Sequence, residues 1–447
     1  MRTRAMRRVA ARYRWDRLRV SFWFAPAIMS LAAVLLAWVM YWLDVRIPND
    51  LLASSRFVLS GSPGDMRSAL LNIAGTVLAT AGVVFTLLTL PLSTVAAQYG
   101  SRLLRVFLGD RITQLVLGMF VGTFVYCIAA ALSIPPVEVQ PEGPQLTATL
   151  AVYLMLATFA SLILLVQHIS TMLQAPNIAA AAGAELLDIV RVETPDEVTK
   201  INQDRAGRGA LSTLVETEGY SVRVSGTGYI QTIDPETMLT LAREKDLVIR
   251  LVHKPGHFVA AGAVVALVWP AGRVNEQVAG QIRQAFRLGN QRTPTQDVEC
   301  AVNQLVEMAV RAMSPAINDP FTAMTCLDHV GSALALFARQ GEENLNTYDR
   351  DGQLRLVFEP VTLAELLNAA FDMLRHASCD NASVLLHMLD VIDVIGQEAK
   401  APEERQQLLR HVSLIQAESQ AGALIEQDRH TIHLGGQALQ AKLESAP

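Results

Sequence analysis

The sequence predicts an α-helical integral membrane protein with four transmembrane helices, followed by a cytoplasmic α+β region. The 447-residue chain is 51% hydrophobic and only 18% charged, which is too apolar for an ordinary soluble protein. Four stretches also lack Asp, Glu, Lys and Arg, and each exceeds the roughly 20 residues that a helix needs to cross the bilayer. The uncharged stretches are residues 22–43, 68–101, 112–137 and 143–184.

A transmembrane domain is therefore expected over residues 23–175. Its spans are predicted at about residues 23–43, 70–95, 113–134 and 147–168. Residues 1–22 form a basic arm with eight arginines and one acidic residue, whereas the loop PPVEVQPEGPQ between the third and fourth spans has no positive charge. Because positively charged loops stay on the cytoplasmic side, the protein is expected in a bacterial inner membrane with both termini in the cytoplasm. The arm is expected to contact anionic lipid rather than nucleic acid.

The third span contains GMFVG, in which Gly118 and Gly122 are four residues apart. This spacing lets two helix backbones approach closely. The sequence leaves open whether the partner is a helix of the same bundle or a second copy of the chain.

The second span carries a polar face, which predicts pore-lining residues. On a helical projection its polar residues fall within an arc of about 140°. They are Asn72, Thr76, Thr80, Thr86, Ser93, Thr94 and Gln98. One interpretation is that the hydroxyls bond to carbonyls one turn earlier or to a neighbouring helix; the other is that copies of this helix line a pore. Pro91 is the candidate hinge in either case, because proline cannot donate to the preceding turn.

Beyond the spans, residues 176–210 read as a helical extension and linker, and residues 211–271 as a small β-rich domain. GYIQTI and LVIRLV alternate as strands do, and LVHKPGHFVAAGAVVALVWP predicts two hairpins. The latter is similar to the hairpin repeat of lipoyl and biotinyl carrier domains but lacks their lysine turn, so only a barrel or sandwich fold is inferred. Residues 272–447 predict a cytoplasmic helical domain of about five helices, one of which begins at a capping box formed by Thr362 and Glu365.

Two helix starts in that domain are candidates for an anion or ligand site. Thr293 with Pro294, and Asp319 with Pro320, resemble helix caps, and Arg292 and Asn318 stand beside them. Exposed N–H groups and the positive end of the helix dipole could hold a phosphate or carboxylate. The alternative is that these residues only begin helices. The four cysteines form no C-x-x-C pair, so no metal, cofactor or disulfide framework is predicted.

Several separate segments carry a resemblance to a known family. They are SRLLRVFLGDR, GYIQTID, RTPTQD and SPAINDPFTA, which occur in the same order as in the family, and the resemblance covers nearly the whole chain. Together they resemble a family of uncharacterised bacterial predicted membrane proteins, a domain of unknown function. The resemblance implies a four-span inner-membrane protein with a cytoplasmic C-terminal region, and it implies no activity.

The leading functional expectation is a homo-oligomeric channel or transport-like protein gated by its cytoplasmic domain, acting on a small ion or small anionic ligand. The first alternative is a membrane-anchored sensor or scaffold without transport. A membrane-bound hydrolase is third, since no pair of acidic or histidine residues forms a convincing catalytic set. The chain is therefore not expected to be an enzyme.

Overall fold

The fold is described from a computed structural model. It describes residues 23–47, 58–59, 61–98, 110–134, 144–172, 174–192, 214–341, 346–349 and 351–445. The chain divides into two compact units, Met1–Ile178 and Ala179–Pro447. Three predicted segments lie outside the described residues: the basic arm, most of SRLLRVFLGDR and residues 193–210 of the linker. The predictions made for them stay predictions.

Long apolar helices build the N-terminal unit. They are α1 (Phe24–Arg46), α2 (Pro63–Gln98), α3 (Arg111–Ser133) and α4 (Gln145–Met172), and α5 (Ala175–Val192) follows at the boundary of the units. α3 packs against α1, α2 and α4. Its Phe120 and Tyr126 are fully buried, and the Tyr126 hydroxyl donates to the Thr147 carbonyl at 3.0 Å. The α3 helix is thus the centre of this bundle.

Two carboxylates fix the directions of these helices. Asp44, near the end of α1, is buried and accepts hydrogen bonds from the Leu146 N–H at 2.7 Å and the Thr147 N–H at 2.8 Å. It therefore supplies the partners that the first turn of α4 lacks within its own helix. Asp110 caps α3 through the Thr113 N–H at 2.8 Å and lies 3.1 Å from Nε2 of His168 near the end of α4. Hence α4 runs antiparallel to both α1 and α3.

The α2 helix has 36 residues, or about 54 Å at 1.5 Å per residue, and so exceeds the roughly 30 Å hydrocarbon core. It continues through Pro91 without a break in the helix. The side chain of Pro91 lies outside the described residues, and its role as a hinge stays a prediction.

Two small sheets form the β-rich part of the C-terminal unit. The strands are β1 (Tyr220–Arg223), β2 (Gly228–Ile233), β3 (Val248–Leu251), β4 (Phe258–Val259), β5 (Val264–Trp269), β6 (Phe286–Gly289), β7 (Thr347–Tyr348) and β8 (Leu354–Val357). The order is β1-β5-β3-β8-β7 in one sheet and β4-β2-β6 in the other, and only the β3–β8 pair is parallel. Helices α6 (Pro235–Lys245) and α7 (Glu276–Ala285) pack on this core.

The predicted pairing of the hairpins was wrong. The turns are present, with Gly256 at φ 93° and Gly262 at φ 86°. However, β3 pairs with β5, and β4 between them pairs with β2 of the other sheet. Strand β4 has two residues, which bury too little surface to stabilise a hairpin with β3. Its pairing is therefore set by core residues that are distant in the sequence. The strands β6, β7 and β8 also fall inside the range predicted as helical.

Six helices complete the described C-terminal unit. They are α8 (Val298–Ala312), α9 (Pro320–Gln340), α10 (Leu363–Ala377), α11 (Ala382–Gly396), α12 (Pro402–Ala421) and α13 (Glu426–Ser445). The caps predicted at Asp319 and Thr362 are confirmed. The cap predicted at Thr293 was wrong: α8 begins at Val298, and Asp297 caps it by accepting from the Cys300 N–H at 2.9 Å. A carboxylate next to the apolar repeat competes better for the helix N-terminus than a threonine four residues earlier.

Five described helices are long and apolar enough to cross a membrane. Four of them belong to the N-terminal unit, and the fifth is α9. The sequence predicts four spans and places α9 in the cytoplasmic domain. In the structure α9 packs against α8, α10 and α11, and its Cys326, Leu327 and Val330 are buried there.

Candidate functional site

The predicted polar face of α2 lies on the surface of the single chain. Asn72, Thr76, Thr86 and Ser93 are exposed and Thr80 is half-buried, while the side chains of Thr94 and Gln98 lie outside the described residues. The buried line of α2, which includes Leu70, Val77 and Val84, faces the bundle instead. A pore made by this face therefore requires several copies of the chain.

The hydroxyls on this face bond within their own helix. Thr76 Oγ1 donates to the Asn72 carbonyl at 2.9 Å, Thr80 Oγ1 to the Thr76 carbonyl at 2.9 Å, and Thr86 Oγ1 to the Gly82 carbonyl at 3.1 Å. Such back-bonding satisfies a hydroxyl in an apolar environment without water. The pore prediction consequently loses its strongest physical premise, and it stays a prediction.

Gly118 and Gly122 face α1 of the same chain. A Cβ placed on Gly118 would collide with Sδ of Met29, and one placed on Gly122 would lie 3.5 Å from the Met29 carbonyl oxygen. The absence of side chains lets the backbones of α1 and α3 approach closely. The two glycines therefore allow close packing of α1 and α3 within the bundle of one chain.

Two of the residues predicted as an anion site, Arg292 and Asp319, are engaged with the protein itself, whereas Oγ1 of Thr293 is buried and has no hydrogen-bond partner among the described residues. Arg292 donates to Asp297 from Nε at 2.7 Å and from Nη2 at 2.8 Å, and Glu299 lies 3.2 Å away. The hydrogen bonds that Arg292 donates to these carboxylates, those to Asp297 above all, raise the pKa of the guanidinium. Asp319 caps α9 through the Thr322 N–H, and Asn318 before it has φ 48°. An anion would have to displace Asp297 from Arg292.

A cavity of about 870 Å³ opens within the C-terminal unit, where the sheets meet α5, α6 and α10. This volume suits a drug-sized molecule. Apolar side chains make most of its wall: Ile189, Ile233, Pro235, Leu239, Leu251, Pro255, Leu356, Phe358 and Val361. Carboxylates also line it: Glu185, Asp188, Glu236, Asp297, Glu299, Glu359 and Glu365. The cavity is thus an apolar pocket with an acidic border.

The basic lining residue Lys254 is neutralised. Its Nζ lies 2.7 Å from both Oε1 and Oε2 of Glu365, which also joins the capping box of α10 through the Thr362 N–H. Burial tends to raise the pKa of Glu365, but the hydrogen bonds from Lys254 and Thr362 outweigh it and hold the pKa below its usual value. The pair ties the turn after β3 to the first turn of α10.

The turn that carries Lys254 approaches α8 very closely. Gly256 has φ 93°, and a Cβ there would collide with the carboxylate of Asp297. Only glycine fits this position, because both the left-handed backbone and the close approach exclude a side chain. Asp297 thus holds Arg292, caps α8 and supports the turn at the edge of the cavity.

Two histidines flank the same turn. Nδ1 of His253, which lines the cavity, lies 3.4 Å from Nδ1 of His257. Burial, followed by the charges of Lys254 and His253, lowers the pKa of His257, so this imidazole is neutral at pH 7. Among the described residues no group of three or more His, Cys, Asp and Glu side chains could hold a metal ion.

Sequence reasoning did not find this cavity. Its lining residues are spread from Glu185 to Glu365, and most of them look like ordinary strand or helix positions. The one local signal was the Lys254-Pro255-Gly256 turn, whose partner Glu365 lies 111 residues later.

Comparison with known proteins places these features in a family. The family model described as "Predicted membrane protein (DUF2254)" matches residues 19–393. The chain is also similar to the uncharacterized protein Mb1321c of Mycobacterium bovis and the uncharacterized protein Rv1290c of Mycobacterium tuberculosis. It is 26% identical to each over 399 residues, which cover 88% of this chain and 75% of the relative. No solved structure matches the chain. With the family model covering most of its length, the chain belongs to the DUF2254 family of predicted membrane proteins.

Proposed function

We propose that this membrane protein is a receptor whose C-terminal unit binds a small organic molecule in the apolar cavity. The cavity itself carries the proposal: an open cavity of about 870 Å³ with a largely apolar wall is a costly feature to leave in a packed domain, and it matches the usual size of ligand pockets. The proposal includes no catalysis.

In this proposal the membrane is crossed four times, by α1 to α4. Helix α9 is excluded as a span because it is buried among α8, α10 and α11. The arginines of the arm and the uncharged third loop favour an inside N-terminus. Four crossings of a bacterial inner membrane then leave the cavity on the cytoplasmic side. The basic arm would contact anionic lipid of the same membrane.

A cavity-filling variant tests ligand binding. The probe is a naphthylbutyl alcohol, which is neutral, and binding is measured to the full chain in zwitterionic nanodiscs after subtraction of empty discs. Leu239→Trp should reduce saturable binding at least tenfold, because the indole occupies cavity volume. Leu434→Trp, at an exposed position on α13, is the matched control and should bind as the wild type does. Absence of saturable binding to the wild type would refute the receptor.

A homo-oligomeric channel gated by the C-terminal unit is the second candidate, and Asn72 favours it. Its side chain is exposed on α2 of the single chain, and among the described residues it has no hydrogen-bond partner. An amide in hydrocarbon needs a polar partner, which a second copy or a water-filled path would supply.

The channel is tested by flux through reconstituted vesicles. Thr86→Leu and Ser93→Leu should alter the flux if the polar face of α2 lines the path. Thr171→Leu is the matched control, since this exposed hydroxyl on α4 bonds back to the Gln167 carbonyl at 2.9 Å in the same way. A wild-type protein that forms only monomers and passes no ions would eliminate the channel and leave the receptor standing.

A further inference from the structure

We propose that the ligand of the cavity is an amphipathic organic cation, with an apolar body and a single ammonium-type head group. This inference rests on the proposed function, namely that the cavity binds a small molecule. It adds the chemical class of that molecule, argued from the distribution of apolar surface and charge around the cavity.

The body of the ligand would lie on the apolar wall. Ile233, Leu251 and Leu356 are buried beneath it with at most 4% of their surface exposed, and Phe358 is half-buried beside them. Burial of apolar surface against such a wall contributes roughly 25 cal/mol per Å². The wall therefore favours an aromatic or aliphatic body over a sugar or a peptide backbone.

Anionic head groups are disfavoured because the cationic side chains at the cavity are already paired. Lys254 Nζ contacts both oxygens of Glu365 at 2.7 Å. Behind the wall, Arg292 is held by Asp297 and Glu299. A carboxylate or phosphate ligand would have to break one of these pairs and leave a carboxylate without its partner, which is costly.

Two of the other lining carboxylates are not neutralised in this way. Within the described part of the chain, the carboxylates of Glu236 and Glu359 make no hydrogen bond or ion pair, and both residues are exposed at the border. Glu185 and Asp188 of α5 also line the cavity, and Asp188 lies 3.6 Å from Nη1 of Arg191 on the same helix. An apolar pocket bordered by a single sign of charge concentrates the opposite charge at its mouth. A fatty acid or nucleotide would meet repulsion there, whereas an ammonium group would be attracted.

Three probes that differ only in the head group test the inference: a naphthylbutyl ammonium, alcohol and carboxylate. Binding is measured to the full chain in zwitterionic nanodiscs at pH 7 and low salt. The ammonium should bind roughly tenfold tighter than the alcohol, since each exposed charge pair contributes modestly and several act together. The carboxylate should bind weakest, and salt should reduce the difference.

Two variants assign the charge selectivity to the border. The double variant Glu236→Gln/Glu359→Gln should lose most of the preference for the ammonium while it retains the affinity for the alcohol. Glu403→Gln/Glu426→Gln is the matched control, because it removes two exposed carboxylates from the first turns of α12 and α13. It should leave the preference unchanged.

Glu365→Gln provides a test in the opposite direction. Glutamine can replace glutamate in the capping box, so α10 should keep its start while Lys254 loses its counter-charge. Affinity for the carboxylate probe should then rise several-fold. Equal binding of all three probes to the wild type, or tighter binding of the carboxylate, would overturn the inference while the receptor proposal survives. Failure of the alcohol to bind at all would refute the receptor proposal itself.

Discussion

A buried histidine makes the stability of the helical part of the C-terminal unit depend on pH. His411 on α12 is fully buried beside Phe371, and its Nε2 lies 3.2 Å from Oδ1 of Asn368. Burial, more than the neighbouring charges, lowers its pKa from 6.5 to about 4. The folded state thus keeps a neutral imidazole over a range in which the unfolded chain takes up a proton.

The size of the effect follows from proton linkage. Below pH 6.5 the unfolded state binds more protons than the folded state, so the free energy of unfolding falls as the pH falls towards 4. With these two pKa values, about 2 kcal/mol should be lost between pH 7 and pH 5. Most carboxylates remain ionised over this range, which separates the histidine from general acid denaturation.

Hydrogen exchange of the intact protein measures this loss locally. Peptides from α12, read by mass spectrometry and corrected for intrinsic exchange rates, should report an opening free energy about 2 kcal/mol lower at pH 5 than at pH 7. His411→Gln removes the titrating group and should abolish most of that difference. His430→Gln, at an exposed position on α13, should retain it. Equal pH dependence in the wild type and His411→Gln would refute the reasoning.

Three further predictions concern single contacts, each read from thermal unfolding of the purified protein. Asp44→Leu should destabilise the N-terminal unit by about 1–3 kcal/mol because buried N–H groups of α4 lose their acceptor, and Asp44→Asn should cost less. Gly118→Leu should lower stability by about 1–3 kcal/mol through overpacking, whereas Gly75→Leu, which faces open space, should not. Arg292→Met should cost about 3–5 kcal/mol because it leaves Asp297 buried and uncompensated; an unchanged melting temperature of Asp44→Leu, Gly118→Leu or Arg292→Met contradicts the contact assigned to that residue.

Features set by short stretches of sequence were predicted well. The four uncharged stretches became long apolar helices, and the caps at Asp319 and Thr362 are present. For each cap the determining chemistry lies within four residues, so no knowledge of the rest of the chain is needed. The mostly helical fold with a small mixed sheet region is accordingly confirmed.

Features set by distant partners were not predicted. The two-residue strand β4 leaves its neighbour β3 for another sheet, and β8 adds to β3 in parallel from more than 100 positions later. The cavity has the same origin, since its acids and apolar wall come from segments with no common sequence pattern. For α2 the difficulty is different: the sequence shows the polar face, but not that Thr76 and Thr86 bond back to their own helix.

Helix α5 is the element through which ligand binding can act on the rest of the chain. One face is held in the C-terminal unit: Leu186 and Val190 are fully buried, and Gly183 packs directly on His329 of α9. Another face supplies Glu185 and Asp188 to the acidic border, and the chain reaches α5 from α4 through only two residues. In the proposed receptor, a cation bound at the border would attract the acids of α5 as well as Glu236 and Glu359, so it would favour conformations in which they approach. Because a ligand shifts an equilibrium only by its differential affinity for the two states, a neutral ligand in the same cavity should bind without moving α5.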